Sequence, residues 1–94
     1  MKDMLVVGRL KEGKFEKFMG FMQSEAGMTE RKKIADVTKT VGAVSPDKKA
    51  VMFKIVVHNI DAMHAFVDGS NPVSKPVWDE VMESFEIFEL KKVR

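Results

Sequence analysis

His58, Asp61 and His64 stand close together in the chain and are of the types that ligate metals. His58 closes an apolar run that reads as a strand. Asp61 and His64 lie one helical turn apart on the next segment, a spacing that suits a surface ion pair equally well. No metal is therefore expected. His64 and His58 are also the candidate catalytic bases, with Asn59, Arg9 and Trp78 the other side chains able to bind and polarise a substrate. The chain has no cysteine and no tyrosine, which removes disulfides, thiolate nucleophiles and cysteine-ligated metals. Ser24, Ser45, Ser70, Ser74 and Ser84 fall in predicted turns or helix ends, where capping accounts for a hydroxyl. Gly8-Arg9-Leu10-Lys11-Glu12-Gly13-Lys14 matches the start of a phosphate-binding loop, but Phe15 replaces the magnesium-binding hydroxyl and Glu12 places a negative charge in the cradle. A glycine-terminated turn is the expected reading.

The elements that must position these residues come from hydrophobic periodicity. Lys49 to Asn59 reads as a central strand, β-branched and aromatic, with Val51, Phe53, Ile55 and Val57 on one face and Met52, Lys54, Val56 and His58 on the other. Met4 to Leu10 is the first strand. A helix follows from about Lys14 to Ala26 with Phe15, Phe18, Met19 and Met22 in one stripe, and Gly27 is its expected stop. Met28 to Lys33 reads as a solvated connection and Ile34 to Val44 as an edge strand. Ser45-Pro46-Asp47-Lys48 then turns the chain into the central strand. Asn59 or Asp61 caps a second helix with Ile60, Met63, Phe66 and Val67 facing inward. Ser74 caps a short third helix with Val77, Trp78, Val81 and Met82 in a stripe, and Phe85 to Val93 closes the chain as a second edge strand.

This β-α-β-β-α-β order is the split βαβ, ferredoxin-like arrangement of the α+β class. It comprises a four-stranded antiparallel sheet with helices on one face, an extra short helix before the last strand, and one domain over residues 1–94. A chain of 94 residues buries only about 60 to 70% of its unfolded surface. The uncovered face keeps Met52 and Val56 apolar, so a second copy of the chain is the expected cover.

The 16 basic residues are interspersed with 14 acidic ones for a net charge of +2, which is no nucleic-acid footprint. The second face of the central strand also lacks the aromatics of an RNA-recognition sheet. The first apolar run stops at Gly8, too short for a signal-peptide core or a membrane span, so no membrane partner and a cytoplasmic location are expected.

Eight methionines and seven phenylalanines are a heavy load for this length. Phe18, Met22, Phe53, Ile55, Met63, Phe66, Trp78 and Phe85 are the expected lining of a malleable apolar pocket, with His64 or Arg9 at its mouth and Trp78 as a lid.

In length, element order, aromatic-rich first helix, the ending Val56-Val57-His58-Asn59 and the short Trp78-bearing helix, the chain resembles the dimeric α+β barrel superfamily, which includes antibiotic-biosynthesis monooxygenase-like and muconolactone isomerase-like proteins. The resemblance implies sheet-to-sheet homodimers holding a small apolar ligand or substrate between sheet and helices. Haem-degrading members use an asparagine, a tryptophan and a histidine. Trp78 and His64 are present here, but the first strand has no asparagine, so no cofactor is expected. The expected function is a homodimer that binds a lipophilic or amphipathic molecule, fatty-acid-like or aromatic. Two alternatives stand beside it: a cofactor-independent monooxygenase or isomerase, and a structural dimer without a pocket.

Overall fold

The apolar run in the middle of the chain forms strand β3, Ala50–Val57, at the centre of a four-stranded antiparallel sheet. In the computed structural model, which describes residues 1–91 and 93, β1 (Lys2–Leu10) lies beside it, while β2 (Val41–Val44) and β4 (Met82–Glu89) form the edges. The order β2-β3-β1-β4 is the expected ferredoxin-like one, and the sheet is open rather than closed. Helices α1 (Phe15–Gln23), α2 (Glu25–Ile34), α3 (Ile60–Asp68) and α4 (Lys75–Val81) supply the second layer. Among the described residues no helix is long and apolar enough to cross a membrane.

Register fixes the two faces of the sheet. Val6 stands between Phe53 and Ile87, and Gly8 between Val51 and Phe85, so these share the helix-covered face. Val51 and Val57 are buried there against Phe18, Met63, Phe66 and Trp78. Leu5, opposite Phe88, and Val7, opposite Met52, share the other face, where Met52 is 40% exposed and Phe88 45%. The hairpin between β2 and β3 closes as expected: the Ser45 backbone N–H donates to Ala50 at 2.9 Å, Lys48 takes a left-handed φ of 61°, and Asp47 accepts from the Lys49 N–H.

Three readings need correction, and the largest concerns Gly27. The predicted helix ends at Gln23, and a further helix starts at once, so the supposed connection Met28 to Lys33 is helical. Ser24 makes the break. Its extended backbone stops α1, and its hydroxyl accepts from the Gly27 N–H at 3.0 Å while donating to the Phe21 carbonyl at 2.6 Å. Gly27 is buried inside α2 because only a residue without Cβ fits there: a Cβ would lie 2.0 Å from the Phe21 oxygen.

The predicted strand from Ile34 to Val44 is interrupted. Ile34 ends α2, and its carbonyl accepts from both His58 and Asn59 N–H groups. Ala35 bridges to Val57. Asp36 then accepts from the Thr38 N–H and starts a 3-10 turn over Val37–Lys39, leaving only Val41–Val44 in the sheet.

The third correction lies at the end of the chain. Helix α4 stops at Val81 and β4 begins with Met82, so Met82 and Ser84 are strand residues, not part of a helical stripe or a helix end. The predicted last strand reached Val93. The observed one ends at Glu89, and Lys92 is outside the described residues.

Candidate functional site

Residues from both layers meet around one cavity of about 70 Å³ between the sheet and the helices. Phe18 and Met22 reach it from α1, Phe53 and Ile55 from β3, Met63 and Phe66 from α3, and Trp78 from α4. These are seven of the eight residues expected to line a pocket. Phe85, at 37% exposure, instead lines a second, more open hollow of about 240 Å³ with Asp68, Asp79 and Glu83, on the other side of Trp78 and Met82. The aromatic wall is tightly joined: Trp78 meets Phe66 edge-on with ring centroids 5.1 Å apart and Phe18 at 5.5 Å. Met22, Met63 and Met82 complete a flexible lining. Gly8 is also in the wall, facing Met82, and is a strand residue rather than the start of a phosphate loop; Gly13 makes the turn with a φ of 76°.

Sequence reasoning missed the polar part of the wall. Arg31 from α2 and Thr40 from the segment entering β2 line the cavity, together with Ile34, Ala35 and Val37. All of them come from the stretch read as a connection and a strand. Arg31 donates from Nη1 to the Met22 carbonyl at 2.9 Å and contacts Met28 Sδ at 3.1 Å, so it ties α2 to the last turn of α1. Burial lowers its pKa from the ordinary value, and a guanidinium remains charged at neutral pH nonetheless. A second feature is the indole N–H of Trp78, which is buried and has no hydrogen-bond partner among the described residues.

The expected mouth residues lie elsewhere. His64 is exposed on α3, and Arg9 is exposed on β1. His58 is exposed beyond β3, with Nε2 3.1 Å from the Lys32 carbonyl. None of the three lines the cavity. Among the described residues, no three His, Asp or Glu side chains stand together as a potential metal site. Of the serines, Ser24 and Ser45 make local turn and cap contacts, and the fully buried Ser74 donates to the Phe66 carbonyl at 2.7 Å.

Two carboxylates brace the helical layer around the cavity. Glu30 on α2 accepts from the Asn71 amide at 2.9 Å and pairs with Lys33; the Asn71 bond, then Lys33, holds its carboxyl below the usual range. Glu80 on α4 accepts from Lys17 at 2.6 Å and Lys14 at 3.3 Å, which joins α4 to α1 and its approach and likewise holds its carboxyl low.

Comparison with solved structures places this architecture among small bacterial proteins. A protein from Agrobacterium tumefaciens superimposes with a TM-score of 0.69 at 14% identity, over 100% of this chain and 95% of that one. An uncharacterised NIPSNAP domain protein from Burkholderia xenovorans matches with a TM-score of 0.66 at 17% identity, over 99% and 95% of the two chains. A protein from Shewanella oneidensis matches at 0.58 and 21% identity, over 95% and 89%. At these identities the likeness establishes the fold alone. No family model and no curated protein sequence matches the chain.

Proposed function

We propose that this chain is a homodimer that binds a small, mostly apolar molecule between its sheet and its helices. The observation that carries the reading is the cavity wall, where aromatic rings and three methionines from both layers converge. The space of about 70 Å³ accommodates only a few atoms as it stands. A larger guest needs Met22, Met63 and Met82 to change rotamer, which an unbranched thioether does readily.

The dimer is supported by the open face of the sheet. Leu5, Val7, Met52, Val56 and Phe88 form an apolar surface across three strands, and Asp3, Arg9, Lys54 and Glu86 supply both signs of charge on the same face. A surface of this kind is complementary to a second copy of itself. Such a dimer agrees with the resemblance to dimeric α+β barrels.

The exposed positions of His58 and His64 give no support to a histidine base acting on a bound substrate. The tightness of the cavity favours one second reading, a dimer without a ligand. Native mass spectrometry of the purified protein, compared with the denatured chain, tests the proposal. A dimer carrying extra mass that is lost on denaturation is the expected result. A bare dimer leaves the ligand-free reading, and a monomer overturns the proposal.

A further inference from the structure

The wall of the cavity is not chemically neutral. Arg31 is its one charged residue, half-buried, and no acidic side chain among the described residues forms an ion pair with it. Nη1 has its two hydrogens occupied by the Met22 carbonyl and Met28 Sδ. The remaining donors, on Nε and Nη2, make no hydrogen bond to the described residues. They form the side-on edge of the guanidinium, the edge whose two parallel N–H groups match the oxygens of a carboxylate. Glu30, on the same helix, is already engaged by Asn71 and Lys33.

The other wall residues that carry a polar side-chain group are Thr40, whose hydroxyl donates or accepts, and Trp78, whose buried indole N–H only donates. An amine or a cation would find no counter-charge in this wall. A neutral hydrocarbon would leave a half-buried cation without an anion. One positive charge matches one negative charge, which favours a carboxylate over a doubly charged phosphate.

We propose that the guest is an amphipathic monocarboxylic acid, with its carboxylate paired to the Nε–Nη2 edge of Arg31 and its apolar part among Phe18, Phe66 and Trp78. This rests on the ligand-binding reading above and adds the chemical class of the ligand. Trp78 is the single tryptophan, so its fluorescence reports directly on the cavity.

The test titrates the natural chain with octanoate and, separately, with 1-octanol, following Trp78 emission. Octanoate is expected to bind tighter by about tenfold to a hundredfold, the range of a charge-assisted hydrogen-bonded pair. Arg31→Gln keeps a donor for the Met22 carbonyl but removes the charge, and is expected to bind both probes equally. Equal affinity of the natural chain for the two probes overturns the assignment of Arg31 while leaving the apolar pocket intact. So does a preference for octanoate that survives in Arg31→Gln. Absence of binding by either probe overturns the pocket reading itself. Should the variant fail to fold, equal affinity of the natural chain for the two probes still overturns the assignment.

Discussion

Two helical glycines should respond to the same substitution with opposite signs. Gly20 is exposed in α1, and a Cβ built there meets nothing within 4 Å. Gly20→Ala therefore gains the intrinsic helix preference of alanine, about 0.8–1.0 kcal/mol. Gly27 sits in α2 without positive φ, so its conformation suits alanine equally well, and only space decides. The added Cβ would lie 2.0 Å from the Phe21 carbonyl oxygen and 3.0 Å from its carbon. Carbon and oxygen normally approach to about 3.3 Å, so α2 must retreat by more than about 1 Å from the end of α1. Overpacking of this kind costs about 1–3 kcal/mol, and the retreat also loosens the Ser24 cap, a further loss of about 1 kcal/mol. After the propensity gain, Gly27→Ala is destabilising by about 1–3 kcal/mol. For a chain of this size each kcal/mol shifts Tm by about 4–8 °C. Thermal melts followed by circular dichroism should thus show Gly20→Ala rising by about 5 °C and Gly27→Ala falling by about 4–24 °C. A Gly27→Ala protein as stable as the natural chain would refute the close approach of the two helices at Ser24.

Three further outcomes follow from the same geometry. Val56→Glu places a carboxylate on the open sheet face, and since burying it unpaired costs several kcal/mol, the proposed dimer should dissociate or unfold; a dimer of unchanged mass by light scattering rules that face out as the interface. Ser74→Ala removes the hydroxyl donor from the Phe66 carbonyl near the end of α3 and should cost about 1–3 kcal/mol in a urea titration, whereas an unchanged midpoint would mean that the carbonyl does not depend on it. Because the folded state holds the Glu30 carboxyl below its ordinary value, its contribution is complete above that ordinary value and fades as pH falls through the lower folded value. The stability difference between the natural chain and Glu30→Gln should therefore shrink on acidification, and a difference that stays constant from neutral pH into strong acid contradicts the arrangement.

The elements with apolar periodicity were legible in the sequence. Strand β3, the stripe of α1 and the stripe of α3 each expose a repeating pattern, and together they carry nearly half of the cavity wall. Helix α2 has no such stripe: of its residues only Gly27 and Ile34 are buried. Its signal was electrostatic instead, with Glu25 in the first turn and Arg31, Lys32 and Lys33 in the last, the polarity that a helix dipole favours. Reading Gly27 as a stop concealed it, because a glycine chosen for a close contact looks the same in sequence as one chosen for a left-handed turn. That single misreading also hid Arg31. Its position at the cavity depends on the α1–α2 corner, which the Ser24 cap creates and local periodicity does not encode.

The absence of a loop between α4 and β4 has a mechanical consequence. Trp78 and Met82 belong to the cavity wall, yet the chain passes from one to the other directly out of a helix and into an edge strand. That strand then presents Phe88 on the opposite side of the sheet, paired to β1 alone. A displacement of β4 is therefore felt on both sides of the sheet at once. Were a second copy seated on Phe88 and a guest seated against Met82, the two events would share one movable lever. Each would alter the affinity of the other by the same factor, as thermodynamic reciprocity requires.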